Sequence, residues 1–100
     1  MSDANIPIEV SNIITMHRNK ASQSAYDRTV AIQAIASAAY LIENFNWTGS
    51  LKADLEVLLP SLESFRNDYY DSDGEYTSGK AEIGSLVVDL NYLLTELKES

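Results

Sequence analysis

The chain has 100 residues, 45% of them apolar, which is enough for a single domain with one core over residues 1–100. It contains no cysteine, which excludes a disulfide framework and a thiolate metal site, and no run of the roughly 18 apolar residues that a membrane helix needs. Its formal net charge of −8 disfavours direct binding to nucleic acid and to anionic membranes.

The first two helices are predicted over residues 7–19 and 24–45. Proline at position 7 suits an initial helical turn, and His17 lies on the apolar-spaced face of the first helix. Residues 19–24 are expected to break that helix, with Ser22 or Ser24 as the next N-cap. The apolar stripe of the second helix is wide, which predicts a central place in the bundle. Its members are Ala31, Ile35, Ala38, Ile42 and Phe45, widened by Ile32, Ala39 and Leu41.

A turn and two more helices follow. Gly49 is expected to adopt a positive φ, and Ser50 to cap the third helix. Apolar residues then recur four and three apart, in a register that continues through Pro60, at Leu51, Leu55, Leu58, Leu62, Phe65 and Tyr69. This predicts one helix over residues 51–70, kinked at Pro60, in preference to two short helices. With a fourth helix over residues 80–98 and no strand signals, the sequence predicts an all-α, antiparallel four-helix bundle.

Acidic residues are concentrated in the second half of the chain. Residues 1–50 carry four acids and three bases, whereas residues 51–100 carry eleven acids and four bases. A chain of this kind attracts basic surfaces, so we expect a protein partner rather than DNA, RNA or a membrane. The alternative is that acidity only keeps a small protein soluble.

The connection before the last helix has the spacing of a metal loop. In residues 71–82, the first, third, fifth and twelfth places hold Asp71, Asp73, Glu75 and Glu82. This pattern resembles an EF-hand loop, and the resemblance implies calcium ligands. The sixth place, which is glycine in that family, holds Tyr76, and a bulky residue at positive φ costs about 1–2 kcal/mol. A solvated connection without a metal is therefore the favoured interpretation.

The same region alternates acids with tyrosines. Its residues are Asp68, Tyr69, Tyr70, Asp71, Asp73, Glu75 and Tyr76. Tyrosines provide large rigid contact surfaces, and carboxylates attract and anchor arginine and lysine. We therefore predict that this segment, the acid–tyrosine segment 68–76, binds a basic surface of a partner protein and inhibits it.

Two resemblances to known families suggest a class of partner in one case and a secretion system in the other. A tyrosine pair followed by acids and a last helix is similar to the four-helix immunity proteins of nuclease colicins, although their proline after the pair is missing here. That resemblance implies inhibition of a nuclease or another nucleic-acid-processing protein, as immunity proteins and phage anti-defence proteins do. Separately, Trp47-Thr48-Gly49 resembles the turn of the small secreted helical-hairpin proteins of type VII secretion systems, and Tyr92 and Glu96 match the spacing of their C-terminal signal.

The runner-up to partner inhibition, ahead of the secreted-hairpin resemblance, is a structural or assembly subunit that forms homodimers through an exposed stripe of the second or fourth helix. Catalysis has little support in the sequence. The only histidine, His17, lies on an apolar face, where a hydrogen-bonded structural imidazole is expected. There is no cysteine nucleophile, no phosphate-binding glycine loop and no helical metal motif. We therefore expect a cytoplasmic protein that is not an enzyme and needs no cofactor.

Overall fold

Residues 6–24, 28–69 and 78–99 are described by the computed structural model. These ranges contain four helices and no strand. The helices are α1 (Ile8–Ser22), α2 (Arg28–Glu43), α3 (Leu51–Asn67) and α4 (Ser78–Glu99). They form an antiparallel four-helix bundle, which confirms the predicted fold class. In these ranges no helix combines the length and the apolar character that crossing a membrane requires.

Helix α2 lies near the centre of the bundle, as its wide apolar stripe predicted, and shares that position with α4, which packs on all three other helices. Helix α2 packs closely on both α1 and α4, whereas α3 packs mainly on α4 and only lightly on α2. The residues of α2 that have no solvent exposure are Ala31, Ala34, Ile35, Ala38, Ala39 and Ile42. Four of these six are alanine, so neighbouring helices can approach the α2 backbone closely. The light contact between α2 and α3 leaves a seam open at the surface.

Helix α1 is longer than predicted. It continues to Ser22 instead of breaking after residue 19, because Ala21 is fully buried and extends the core-facing side of the helix. The backbone N–H of Gln23 then donates to the carbonyl of Lys20 at 3.2 Å. Ser22 is not an N-cap, since its hydroxyl donates to the carbonyl of Asn19 at 2.8 Å within the same helix.

The turn between α2 and α3 is held by an aromatic side chain. Helix α2 runs from Arg28 to Glu43, so it ends two residues before the predicted end, and Ser24, the predicted start, is not helical. Beyond it, the indole N–H of Trp47 donates to the carbonyl of Ile42 at 3.0 Å, which satisfies one of the carbonyls that a helix end leaves unpaired. The indole also packs edge-on against Phe45, with 4.9 Å between ring centroids. Gly49 has a φ of 101°, as predicted.

The start of α3 is organised differently from the prediction. Ser50 does occupy the N-cap position, but its side chain makes no capping hydrogen bond. The carboxylate of Asp54 instead ties the preceding turn to the helix: it accepts the backbone N–H of Thr48 at 3.0 Å and the hydroxyl of Thr48 at 2.8 Å. A carboxylate in this first part of a helix also interacts favourably with the helix dipole.

Helices α3 and α4 are both single and both differ from their predicted bounds. Helix α3 includes Pro60 in its interior, which confirms one helix in place of two, and ends at Asn67, before the predicted residue 70. Helix α4 starts two residues early, at Ser78, and runs to Glu99. The two helices are antiparallel, since Lys98 at the end of α4 lies 3.9 Å from Glu56 near the start of α3.

Candidate functional site

The acid–tyrosine segment 68–76 is described only at its first two residues. Asp68 is exposed immediately after α3, whereas Tyr69 is half-buried, with its ring centroid 5.8 Å from that of Phe65. The segment therefore leaves the bundle with a tyrosine packed on the core and a carboxylate in solvent. The predicted partner-binding residues that lie outside the described residues are Tyr70, Asp71, Asp73, Glu75 and Tyr76.

Two basic side chains connect the ends of the helices that flank this segment. The ammonium of Lys80 donates to the carbonyl of Asn67 at 3.1 Å, and the guanidinium of Arg66 donates to the side-chain oxygen of Asn67 at 3.0 Å. Arg66 lies against α4 where Gly84 has no side chain; a Cβ on that glycine would be 2.8 Å from Nε of Arg66. Positive charge at the C-terminal end of α3 is favourable for its dipole. These contacts fix the C-terminal end of α3 against the first turns of α4.

The calcium interpretation is supported only by the spacing of the four candidate ligands in the sequence. Glu82 is half-buried in α4, and its Oε1 is buried without a hydrogen-bond partner. The other three candidate ligands, Asp71, Asp73 and Glu75, lie outside the described residues. In the described ranges, no group of three or more histidine, cysteine or acidic side chains is placed to hold a metal ion.

A groove of about 490 Å³ opens between α2 and α3. On one side it is lined by α2 and the residues just after it, namely Ser37, Tyr40, Leu41, Asn44 and Phe45. On the other side it is lined by α3, namely Leu58, Ser61 and Phe65. None of these side chains carries a charge. We call this feature the α2–α3 groove.

The α2–α3 groove leads to the acidic segment. Phe45 lies at the end where α2 and α3 are joined by the turn, and Phe65 lies at the opposite, open end. Phe65 is also the ring against which Tyr69 packs, and Asp68 follows Phe65 by three residues. The uncharged groove thus ends close to Tyr69 and Asp68, the first two residues of the acid–tyrosine segment 68–76.

Sequence reasoning missed this groove. It placed Phe65 in the core stripe of α3 and gave no role to Tyr40, which is 69% exposed. One feature of the sequence did indicate an additional surface on α2: its apolar band is wider than one helix-packing face needs. The position of the groove, however, depends on how far α3 lies from α2.

Other exposed apolar side chains lie on α4. Val88 and Tyr92 are one helical turn apart and 64% and 66% exposed. Val88 also borders a second groove, between α3 and α4, which contains Glu63 and Arg66 and is therefore charged. This surface is the part of α4 that the homodimer alternative would use.

His17 has the structural role that the sequence predicted. The side chain is 1% exposed, and its Nε2 lies 2.6 Å from Oδ2 of Asp89, so the imidazole links α1 to α4. Its Nδ1 is buried and has no hydrogen-bond partner. Asp89 keeps 40% of its side chain in solvent, which lowers the cost of carrying a charge next to the core.

Comparison of the chain with family models, with curated proteins and with solved structures gives no match. The resemblances to EF-hand loops, immunity proteins and secreted helical hairpins therefore depend only on the sequence motifs described above.

Proposed function

We propose that this protein is a small binding protein that inhibits its partner by occupying a basic surface with the acid–tyrosine segment 68–76. The observation that carries the proposal is the arrangement at the end of α3. There the half-buried Tyr69 packs on Phe65 beside the exposed Asp68, and three further acids follow within seven residues.

The charge balance supports the same conclusion. Eleven acids face four bases in residues 51–100, and three of those bases contact groups of the bundle itself. Lys98 lies near Glu56, and Lys80 and Arg66 both bind Asn67. Three of the four bases are thus engaged in structural contacts, while Asp68 has no ion pair in the described part of the chain.

The mechanism follows from elementary electrostatics. An acidic surface speeds the encounter with a basic one and disfavours acidic competitors, including nucleic acid. Tyrosines then supply desolvated contact area, and carboxylates form charge-assisted hydrogen bonds with arginine and lysine. A nuclease or another nucleic-acid-processing protein has such a surface where its substrate binds, and occupying it would block the substrate.

The test compares two variants of equal net charge against the partner, isolated by affinity capture from the native host. The first neutralises the segment by Asp68→Asn, Asp71→Asn, Asp73→Asn and Glu75→Gln. The control neutralises four acids elsewhere, by Glu9→Gln, Glu56→Gln, Glu96→Gln and Glu99→Gln. We expect the first variant to bind at least about tenfold more weakly and to lose much of the salt dependence of binding, with little change in the control. Equal effects of the two variants, or no effect of the first, would refute the proposal.

A second candidate function is an assembly subunit that forms homodimers. The observation in its favour is the exposed pair Val88 and Tyr92 on α4. It predicts a dimer by light scattering at micromolar concentration, which Val88→Asp should convert to a monomer. A wild-type protein that remains monomeric under these conditions would count against it.

A further inference from the structure

We infer that the exposed side of α2 is a self-complementary interface, through which two copies of this chain pair with their α2 helices antiparallel about a two-fold axis at Ala36. We call this surface the α2 face. It is formed by residues that are all exposed and recur every four positions, namely Arg28, Ile32, Ala36, Tyr40 and Asn44. It includes no residue of the acid–tyrosine segment 68–76, so it goes beyond the inhibitory function, and it is separate from the α4 surface of the second candidate function.

The α2 face has no neighbour within the described part of the chain. Helix α2 packs on α1 and α4 through its buried side and only lightly on α3, so the opposite side stays in solvent. Ile32 is 43% exposed and Tyr40 is 69% exposed. No charged residue occurs between Arg28 and Glu43, although 22% of the chain is charged. An uncharged helix face with two large exposed apolar side chains is typical of a surface that another protein covers.

The spacing of the α2 face fits a copy of itself. When two α2 helices lie antiparallel about a two-fold axis at Ala36, Ile32 of one copy lies level with Tyr40 of the other, and this contact occurs twice. The two contacts are about 6 Å on either side of the axis, at 1.5 Å per residue. At the axis Ala36 faces Ala36, and this small side chain lets the two backbones approach closely. Beside the α2 face, the α2–α3 groove and a hollow of about 180 Å³ between α1 and α2 leave room for side chains of the other copy.

The charges at the two ends of the α2 face are also self-complementary. Arg28 lies at one end and Glu43 at the other, at nearly equal distances from Ala36 along the helix. Antiparallel pairing therefore brings Arg28 of each copy level with Glu43 of the other and forms two symmetric ion pairs, whereas parallel pairing would bring like charges together. A second copy of this chain supplies this charge pattern without any further partner, which identifies it as the occupant.

The net charge of −8 does not oppose this pairing strongly. Beside Glu43, at 3.5 Å, lies Arg18 of α1, so the α2 face and its α1 border carry two bases and one acid. On the α3 side, the nearest described acid beyond the uncharged groove is Asp68, at the end of that helix. Helix α4, which carries further acids, packs on the buried side of α2. Residues 25–27 lie outside the described residues and are not part of the proposed surface.

Sedimentation equilibrium of the full chain, from micromolar to millimolar concentration at low salt, measures the association. The pairing involves mainly one helix per copy, so we expect a weak dimer with a Kd of about 10–100 µM. Two charge reversals test its geometry, Arg28→Glu and Glu43→Arg. Each variant alone places like charges opposite each other in its own dimer, whereas an equimolar mixture of the two restores both ion pairs. Both changes suit the helix dipole, so circular dichroism should show unchanged helix content.

Matched controls separate this geometry from an effect of net charge. Lys52→Glu and Glu99→Arg make the same charge changes at exposed positions outside the α2 face. We expect each test variant to dimerise at least about tenfold more weakly than the wild type, and the mixture and both controls to stay within about threefold of it. Repulsion between net charges would instead strengthen association of Glu43→Arg, because its net charge is less negative.

Several results would overturn the inference. They are a wild-type protein that stays monomeric over the whole concentration range, charge reversals that have no effect, and a mixture that associates no better than its components. A dimer that Val88→Asp dissociates and the charge reversals leave intact would overturn it as well, because association would then occur through α4. None of these outcomes changes the expected effect of neutralising the acid–tyrosine segment, so this inference and the inhibitory function are tested separately.

Discussion

Replacing Asp54 by alanine should destabilise the fold more than removing any exposed acid of the same helix. The Asp54 side chain is only 4% exposed, and it accepts two hydrogen bonds from Thr48, one from the backbone N–H and one from the hydroxyl. These bonds close the turn between α2 and α3. Since α2 and α3 otherwise make little contact, this turn is a main determinant of how they are joined.

The size of the effect follows from the environment. A hydrogen bond to a charged group contributes about 1.5–3 kcal/mol, and the carboxylate gains about 0.3–1 kcal/mol from its place near the helix N-terminus. Two terms reduce the loss: Thr48 is exposed, so water replaces part of the lost bonding, and removing a buried carboxylate relieves its desolvation. We therefore expect Asp54→Ala to lower the free energy of unfolding by about 2 kcal/mol, which is large for a domain of this size.

Urea denaturation followed by circular dichroism measures this change. The free energy of unfolding falls by about 1–3 kcal/mol per molar urea, so the urea concentration at the midpoint of unfolding should fall by about 1 M. Glu63→Ala, which removes an exposed acid from the same helix, is the control and should change stability by less than about 0.5 kcal/mol. Thr48→Val removes only the hydroxyl and should cost about 1 kcal/mol, and the double variant should show less than the sum of the two. If Asp54→Ala costs no more than Glu63→Ala, the assigned role of the carboxylate is wrong.

Three further predictions concern packing and backbone geometry. Ala38→Leu should destabilise the protein by about 1–3 kcal/mol because Ala38 is fully buried in the centre of the bundle, whereas Ala36→Leu, on the exposed side of α2, should be near neutral. Gly84→Ala should gain about 1 kcal/mol of helix stability when Arg66 is also replaced by alanine, and less when Arg66 remains, because the new methyl group would lie 2.8 Å from its Nε. Gly49→Ala should cost about 1 kcal/mol, since φ is 101° there although no atom lies within 4 Å of the added methyl group.

Thermal unfolding checks all three, and each has a clear contrary result. Equal shifts for Ala38→Leu and Ala36→Leu would mean that the centre of α2 is not closely packed. Additive effects of the changes at positions 84 and 66 would show that the arginine does not lie over the glycine. An unchanged melting temperature for Gly49→Ala would contradict the positive φ.

Much of the fold was predictable because helical periodicity is a local property of the sequence. The four helices, the central place of α2, the continuation of α3 through Pro60 and the positive φ of Gly49 were all predicted, and the structure confirms them. The helix ends were predicted less well. The end of α1 depends on the burial of Ala21, and the turn before α3 depends on an Asp54–Thr48 contact that propensity did not predict, although α3 starts at Leu51 as expected.

For the candidate site too, some features were predictable from the sequence and others required the tertiary structure. Sequence composition by itself determined the acidic, tyrosine-rich character of segment 68–76, because charge and residue type need no structure to be read. Sequence spacing also placed His17 on a buried face. Its pairing with Asp89, 72 positions away in the chain, required the tertiary structure.

Only the tertiary structure decided that an uncharged groove opens between α2 and α3, close to Tyr69 and Asp68. Periodicity assigns each helix its buried face but does not say how tightly two faces meet. Here α3 packs on α4 in preference to α2, and that choice leaves Tyr40 and Phe65 on either side of an open seam beside Asp68. The sequence therefore determined the helices and their charge, and the packing between helices determined where the surface of the bundle stays open.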